Sequence, residues 1–249
     1  MPVFLLSDKI AFPPPHFATP EGLLAVGGDL SQERLLLAYR MGIFPWYSED
    51  EPILWWSPDP RLILYPGTLH VSRTLKKIIK KKVFTVTIDK AFEEVITACA
   101  QTRLQNREGT WIVDGIRDAY CRLHFSGYAH SVETWSEGRL AGGLYGVSLG
   151  RCFFGESMFS RVDNASSVAL FALVRFLKTL SFDFIDCQVT TAHLKRLGAC
   201  EIPRSRFLKE LRHALTAPTL KGRWKFPSVA DAGVGEETAG LKPARQPSS

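Results

Sequence analysis

Residues 140–160 read LAGGLYGVSLGRCFFGESMFS. Two apolar runs flank Leu149-Gly150-Arg151, a tripeptide suited to a turn, so the stretch reads as two adjacent β-strands. A carboxylate, Glu156, falls inside the second run. Charged groups are seldom buried without a partner, so Glu156 marks an edge position, half of a buried ion pair, or the wall of a cleft. A second apolar segment, FDFIDCQ at 182–188, reads as a short buried strand. Strand alternation would set Asp186 and Gln188 on one side with Cys187 facing away. If Glu156 joins them, the site holds two carboxylates and an amide and lacks a strong nucleophile. That set suits chemistry in which the substrate brings its own nucleophile and the protein orients and deprotonates it.

The surrounding sequence fixes the fold class. Upstream, AHSVETW is a strand that turns at Ser136-Glu137-Gly138; downstream, ASSVALFALVRFLKTL is an apolar helix with Asp163 or Asn164 as cap. GDLSQERLLLAYRMG is a helix capped by Ser31 and closed by Gly42. Val71 to Lys82 is another, with Leu75, Ile78 and Ile79 opposite Arg73, Lys76, Lys77, Lys80 and Lys81. VFTVTID alternates as a strand, and AFEEVITACAQ and WIVDGIRDAYCRLHFSG are helical. Residues 1–20 are Pro- and Phe-rich, and IFPWYSEDEPILWWSPDPR reads as an ordered loop region. The order predicts an α+β protein, a mixed sheet flanked by helices, and not a doubly wound fold. A small N-terminal α/β unit is expected over 1–62, the main unit over 63–216, and an extension over 217–249, disordered from about 227.

The 249 residues, 45% hydrophobic and 22% charged with a net charge of +6, describe a globular chain whose mild basic excess is compatible with a polyanionic partner. No apolar run reaches bilayer length and the N-terminus is too weakly apolar for a signal peptide, so a cytoplasmic protein without membrane contact is expected. The five cysteines contain no CxxC pair, which points away from a disulfide framework or a zinc site. The histidines form no HExxH and the serines no GxSxG; no metal or cofactor is expected. Gly142-Gly143 and Gly27-Gly28 read as turn or close-packing glycines. Trp46, Trp55, Trp56 and Trp111 sit in Pro-, Gly- or Thr-rich segments. They could stack single-stranded bases beside the basic helix face, or equally cover a domain seam.

Taken together, GLLAVGGDLS, AYRMGIFPWY, LWWSPDPR, GTWI, AHSVE, GGLYGVSLG, FFGESMFS, NAS, IDCQ and LGACEIPR resemble, in order, the bacterial leucyl/phenylalanyl-tRNA–protein transferases. The resemblance spans roughly residues 10–215. It implies a GNAT-like acyltransferase domain and transfer of Leu or Phe, less readily Met, from aminoacyl-tRNA. The acceptor would be the N-terminal amine of proteins that begin with Arg or Lys, marking them for degradation by the N-end rule pathway. By the same resemblance, Gln188 accepts a hydrogen bond from the attacking amine, Asp186 orients and polarises Gln188, and Glu156 holds the amine or the cationic acceptor residue. Leu144, Phe153, Met158, Leu173, Leu177 and Ile185 would line the aminoacyl pocket. Trp46 and Trp111 would stack the terminal adenosine, with Tyr39, Tyr120 and Ser160 nearby, and Arg73, Lys76, Lys77, Lys80 and Lys81 would meet tRNA phosphates. A monomer is expected.

One position departs from the family pattern: Ser167 follows NAS where a lysine is usual, so any role of that cation is lost or taken over by Arg161 or Arg175. Two rivals stand beside this reading. A CoA-dependent N-acyltransferase would need an R/QxxGxG/A pyrophosphate loop, and SRVDNAS at 160–166 lacks both glycines. A non-catalytic tRNA-binding protein would leave the carboxylates of GESMF and IDCQ without a purpose.

Overall fold

The computed structural model describes residues 3–105 and 112–226, which form two sheets. In the smaller, β1 (Phe4–Leu6) runs parallel to β2 (Leu23–Gly27), and the chain then enters α1 (Gln32–Arg40). Ser31 caps α1, its side chain accepting from Arg34 N–H, and Gly42 at φ 73° reverses the chain after the last turn. β3 (Phe44–Pro45) and β4 (Leu54–Trp56) complete the order β1-β2-β4-β3. These strands hold two to five residues, too few for alternation to separate them from loop, which is why the Trp-rich segment carries more regular structure than its sequence indicates. Trp55 is fully buried and donates from Nε1 to Gly27 O at 2.8 Å, so it is core and has no face free for a base.

The larger sheet begins with β5 (Arg61–Leu64), a strand that straddles residue 62. After α2 (Arg73–Lys80) come β6 (Thr85–Ile88), α3 (Phe92–Gln105) and α4 (Asp114–Phe125). β7 (Ala129–Ser136), β8 (Arg139–Leu149) and β9 (Cys152–Ser160) then form the expected meander. α5 (Ala165–Thr179), β10 (Phe184–Gln188), α6 (Ala192–Arg196), β11 (Cys200–Ile202) and α7 (Arg204–Ala214) follow. The strand order is β11-β5-β10-β9-β8-β7-β6, with β9 and β10 parallel and the other pairs antiparallel. This is the mixed sheet the element order predicts.

Both faces are covered. Ile96 of α3, Tyr120 of α4, Tyr39 of α1 and Phe207 of α7 share one core with Phe154; Leu170, Leu173 and Leu177 of α5 share another with Phe153 and Ile185. The Gly pair in β8 exists for close packing: a Cβ on Gly142 would lie 2.6 Å from Ala165 Cβ at the start of α5. The cap of α5 differs from expectation. Asn164 occupies the N-cap at φ 68° but makes no side-chain cap bond; the hydroxyl of Ser160 accepts from Ser166 N–H at 2.9 Å instead.

The extension is folded as far as Phe226. Trp224 N–H donates to Asp89 Oδ2 at 2.7 Å, and the indole stacks on His130 with centroids 3.7 Å apart. The expected disorder beyond 227 lies outside the described residues. No helix among the described residues is long and apolar enough to cross a membrane.

Candidate active site

Two irregularities in the large sheet make the site. Between β8 and β9 the register runs from Tyr145–Ser157 to Gly146–Gly155, so Glu156 is an extra residue, a β-bulge. A side chain at Gly146 would meet Phe154 O at 2.2 Å, so glycine is required beside the bulge. The parallel pairing of β9 with β10 ends at Phe154–Asp186, and β10 has its own register shift between Asp186 and Gln188 against β5, with Gln188 at φ 63°. Beside the end of this pairing opens a cavity of about 490 Å³.

Its apolar wall contains Leu144, Phe153, Met158, Leu170, Leu173 and Ile185, with Phe44 and Trp46 from the small sheet side. Leu177 is fully buried in the same core but does not line the cavity. Tyr145, Glu156, Ser157 and Gln188 supply enclosed polar groups; Thr191 and His193 are exposed lining residues. A second apolar groove, about 410 Å³ between α2 and α5, has Lys82 and Arg175 as its ionisable lining and no carboxylate or amide.

Glu156 is 8% exposed and fully engaged. Oε1 accepts from Tyr39 Oη and Gln188 Nε2, both at 2.8 Å, and Oε2 accepts from Tyr120 Oη at 3.0 Å; the two tyrosine hydroxyls also touch each other. Burial pushes the Glu156 carboxyl up to about 7; the donors from Tyr39, Tyr120 and Gln188 oppose that rise and the charge of Asp186 adds to it. Burial, and then the charge of Glu156, drives both tyrosines well above their ordinary value, so they are donors throughout the physiological range. The pair of irregularities thus places a carboxyl that is half ionised near neutral pH against an amide at the edge of an apolar cavity.

Asp186 and Gln188 do not share a face. Ile185 and Cys187 line the cavity, while Asp186 meets Arg61: Nε to Oδ1 at 2.8 Å and Nη2 to Oδ2 at 2.7 Å. Gln188 reaches the cavity because the register slips and its backbone enters the left-handed region, breaking the alternation that would have paired it with Asp186. The link between them runs through the main chain, Gln188 N–H donating to Asp186 Oδ1 at 2.9 Å. Arg61, absent from the sequence reading, is 1% exposed, lies between the rings of Phe44 and Phe207 at 4.9 and 4.5 Å, and donates to Gly42 O at 3.2 Å. A lone arginine opening the apolar run RLIL, with a lone aspartate in FIDCQ, was the available signal for a buried pair.

The remaining expected residues are more scattered. Trp46 lines the cavity and is 41% exposed, its ring 5.7 Å from that of Trp56. Trp111 lies outside the described residues. Ser160 is engaged at the start of α5 and does not line the cavity. Arg73, Lys76, Lys77, Lys80 and Lys81 are all exposed on and just after α2. Ser167 is half-buried in the first turn of α5, and neither Arg161 nor Arg175 lines the cavity.

The family model described as leucyl/phenylalanyl-tRNA protein transferase matches residues 63–212, and the model of its N-terminal domain matches residues 28–59. The chain belongs to this family. A leucyl/phenylalanyl-tRNA–protein transferase of Desulfatibacillum aliphaticivorans is 61% identical over 228 residues, 92% of this chain and 98% of that protein. Those of Desulforapulum autotrophicum and Syntrophobacter fumaroxidans are 57% and 55% identical, covering 91% and 98% of this chain and 99% and 100% of theirs. Among solved structures, L-PGS from Bacillus licheniformis overlaps 68% of this chain and 53% of its own with a TM-score of 0.39 at 12% identity.

Proposed function

We propose that the cavity receives the aminoacyl end of leucyl- or phenylalanyl-tRNA, less readily methionyl-tRNA, and that the enzyme transfers the amino acid to the N-terminal amine of proteins beginning with Arg or Lys. The observation that carries this is the Glu156–Gln188 pair, bonded at 2.8 Å, beside an apolar cavity. An aminoacyl ester is already activated, and an α-amine with pKa near 8 is partly protonated at neutral pH. The enzyme therefore needs to supply position and a proton acceptor. With Nε2 held by Glu156, Gln188 keeps Oε1 for the N–H of the incoming amine. Glu156, ionised above about pH 7, attracts the amine and takes its proton. Asp186, anchored by Arg61, holds the Gln188 main chain in place. The apolar wall offers no partner to a polar side chain, so it favours Leu, Phe and Met by desolvation.

The exposed cations of α2 would meet tRNA phosphates, and Trp46 would stack the terminal adenosine. The division into an N-terminal unit to about residue 62, a GNAT-like unit over 63–216 and an extension is part of the same reading. The separation of two parallel strands beside a bulge, around the reacting groups, supports the GNAT-like assignment. A tRNA substrate fits a cytoplasmic enzyme, and a monomer is part of the same reading. CoA chemistry is disfavoured at α5, where Ala165 N–H and Ser166 N–H already donate to Val162 O and Ser160 Oγ and are not free for a pyrophosphate.

The test is transfer of labelled leucine from leucyl-tRNA to two peptides differing only in N-terminal Arg or Asp, with a leucyl-CoA thioester in parallel. Label on the Arg peptide alone, and from tRNA alone, is the expected result. Transfer from the thioester, or tRNA binding without transfer, would replace this reading.

A further inference from the structure

Ser157 is an enclosed polar side chain of the cavity that the proposed chemistry leaves unused. It lines the cavity, is 8% exposed, and its buried hydroxyl has no hydrogen-bond partner. An unpaired buried hydroxyl costs about 1–3 kcal/mol, and a native structure that carries one in a ligand cavity points to a ligand atom as the missing partner.

The bulge determines which way Ser157 faces. Met158 packs with the α5 core, and Phe159 and Phe154 with the opposite core. Alternation back from Phe159 puts Ser157 on its side, the side on which Glu156 meets Tyr39 and Tyr120. Without the extra residue, Glu156 and Ser157 would point apart; with it, carboxylate and hydroxyl are neighbours on one face. Of the other side-chain donors lining the cavity, Gln188 Nε2 is committed to Glu156, Cys187 Sγ donates to Ile185 O, Tyr145 is engaged elsewhere, and Trp46, Thr191 and His193 are exposed. Ser157 is enclosed and uncommitted.

We propose that Ser157 Oγ donates a hydrogen bond to the carbonyl oxygen of the aminoacyl ester and holds the oxyanion that forms there during transfer. This rests on the aminoacyl-transfer reading. As the acceptor amine adds to the carbonyl carbon, the C=O π pair moves onto oxygen, and Ser157 donates to that charge while Glu156 takes the proton from nitrogen. The C=O then re-forms and the bond to the ribose oxygen breaks; that oxygen takes up one proton, balancing the one nitrogen gave, and leaves as the free tRNA 3′ end. A donor aimed at the oxyanion acts mainly on the transition state.

The experiment is single-turnover leucine transfer from leucyl-tRNA to an Arg-initiated peptide by wild type, Ser157→Ala, Ser157→Cys and Ser157→Thr, with tRNA affinity and thermal stability measured alongside. Ser157→Ala is expected to slow transfer by about 100- to 1000-fold with tRNA affinity unchanged. Ser157→Cys, near-isosteric with a weak donor, should lose at least about tenfold, and Ser157→Thr, which keeps the hydroxyl, should stay within about tenfold of wild type. Ser157→Ala or Ser157→Cys transferring within about threefold of wild type, or a loss confined to tRNA affinity, would overturn the assignment. No transfer by the wild type would instead overturn the aminoacyl-transfer reading, and this inference with it.

Discussion

Glu156→Gln removes one ionisation from the centre of the site, and the consequence is readable in stability as a function of pH. The carboxyl is raised from 4.5 to about 7 in the folded protein. Between those values the unfolded chain has lost its proton while the folded protein still holds it, so folding stability falls as pH rises through the window and levels off above 7. A rise of about 2.5, at 1.36 kcal/mol per pKa unit, corresponds to a loss of about 3 kcal/mol between strongly acid and alkaline conditions. Glutamine carries no such loss. Fixed differences between the side chains, such as the amide facing the tyrosine hydroxyls, offset the curves but do not tilt them. The unfolding free energy of Glu156→Gln relative to wild type should therefore grow by about 2–3 kcal/mol from pH 5 to pH 8. Urea denaturation at constant ionic strength across that range measures it. A difference constant to within about 0.5 kcal/mol would refute the argument that burial dominates the Glu156 environment.

Tyr39→Phe removes a donor that lowers the Glu156 pKa, so the rising limb of the pH–rate profile for leucine transfer should move to higher pH; a limb that stays or moves to lower pH contradicts the network. Arg61→Ala removes the ion-pair partner of Asp186 in a fully buried position. A loss of about 3–5 kcal/mol in chemical denaturation is expected, against under 1 kcal/mol if the pair were dispensable. Trp224→Ala removes the indole stacked on His130 and should cost about 3–5 kcal/mol in the same assay, whereas an extension that contributes nothing would leave the midpoint unchanged.

The long apolar segments were legible because their periodicity exceeds local noise: the meander around Gly150, the α5 helix and the buried FIDCQ strand all stand where the pattern puts them. The carboxylate in GESMF was visible as an anomaly. Its cause was not, because a bulge depends on the register of two strands and no single strand's sequence records it. The same limit explains the misplaced pairing of Asp186 with Gln188. Alternation holds only while a ladder is regular, and the ladder slips at that point. Arg61 went unnoticed because its partner is 125 residues away, a long-range pairing that a local reading of WSPDPR cannot supply. Trp224 and Phe226, set among Lys and Gly in KGRWKF, have too little periodicity to announce that this segment closes over His130.

In the proposed reaction Gln188, held by Glu156 on one side and through its main chain by Asp186 on the other, positions the attacking amine. Single-turnover transfer of labelled leucine from leucyl-tRNA to an Arg-initiated peptide, comparing wild type with Gln188→Ala, tests it most directly. A fall of at least about 100-fold in the transfer rate with tRNA affinity unchanged is expected. A Gln188→Ala enzyme transferring within about threefold of wild type would contradict it.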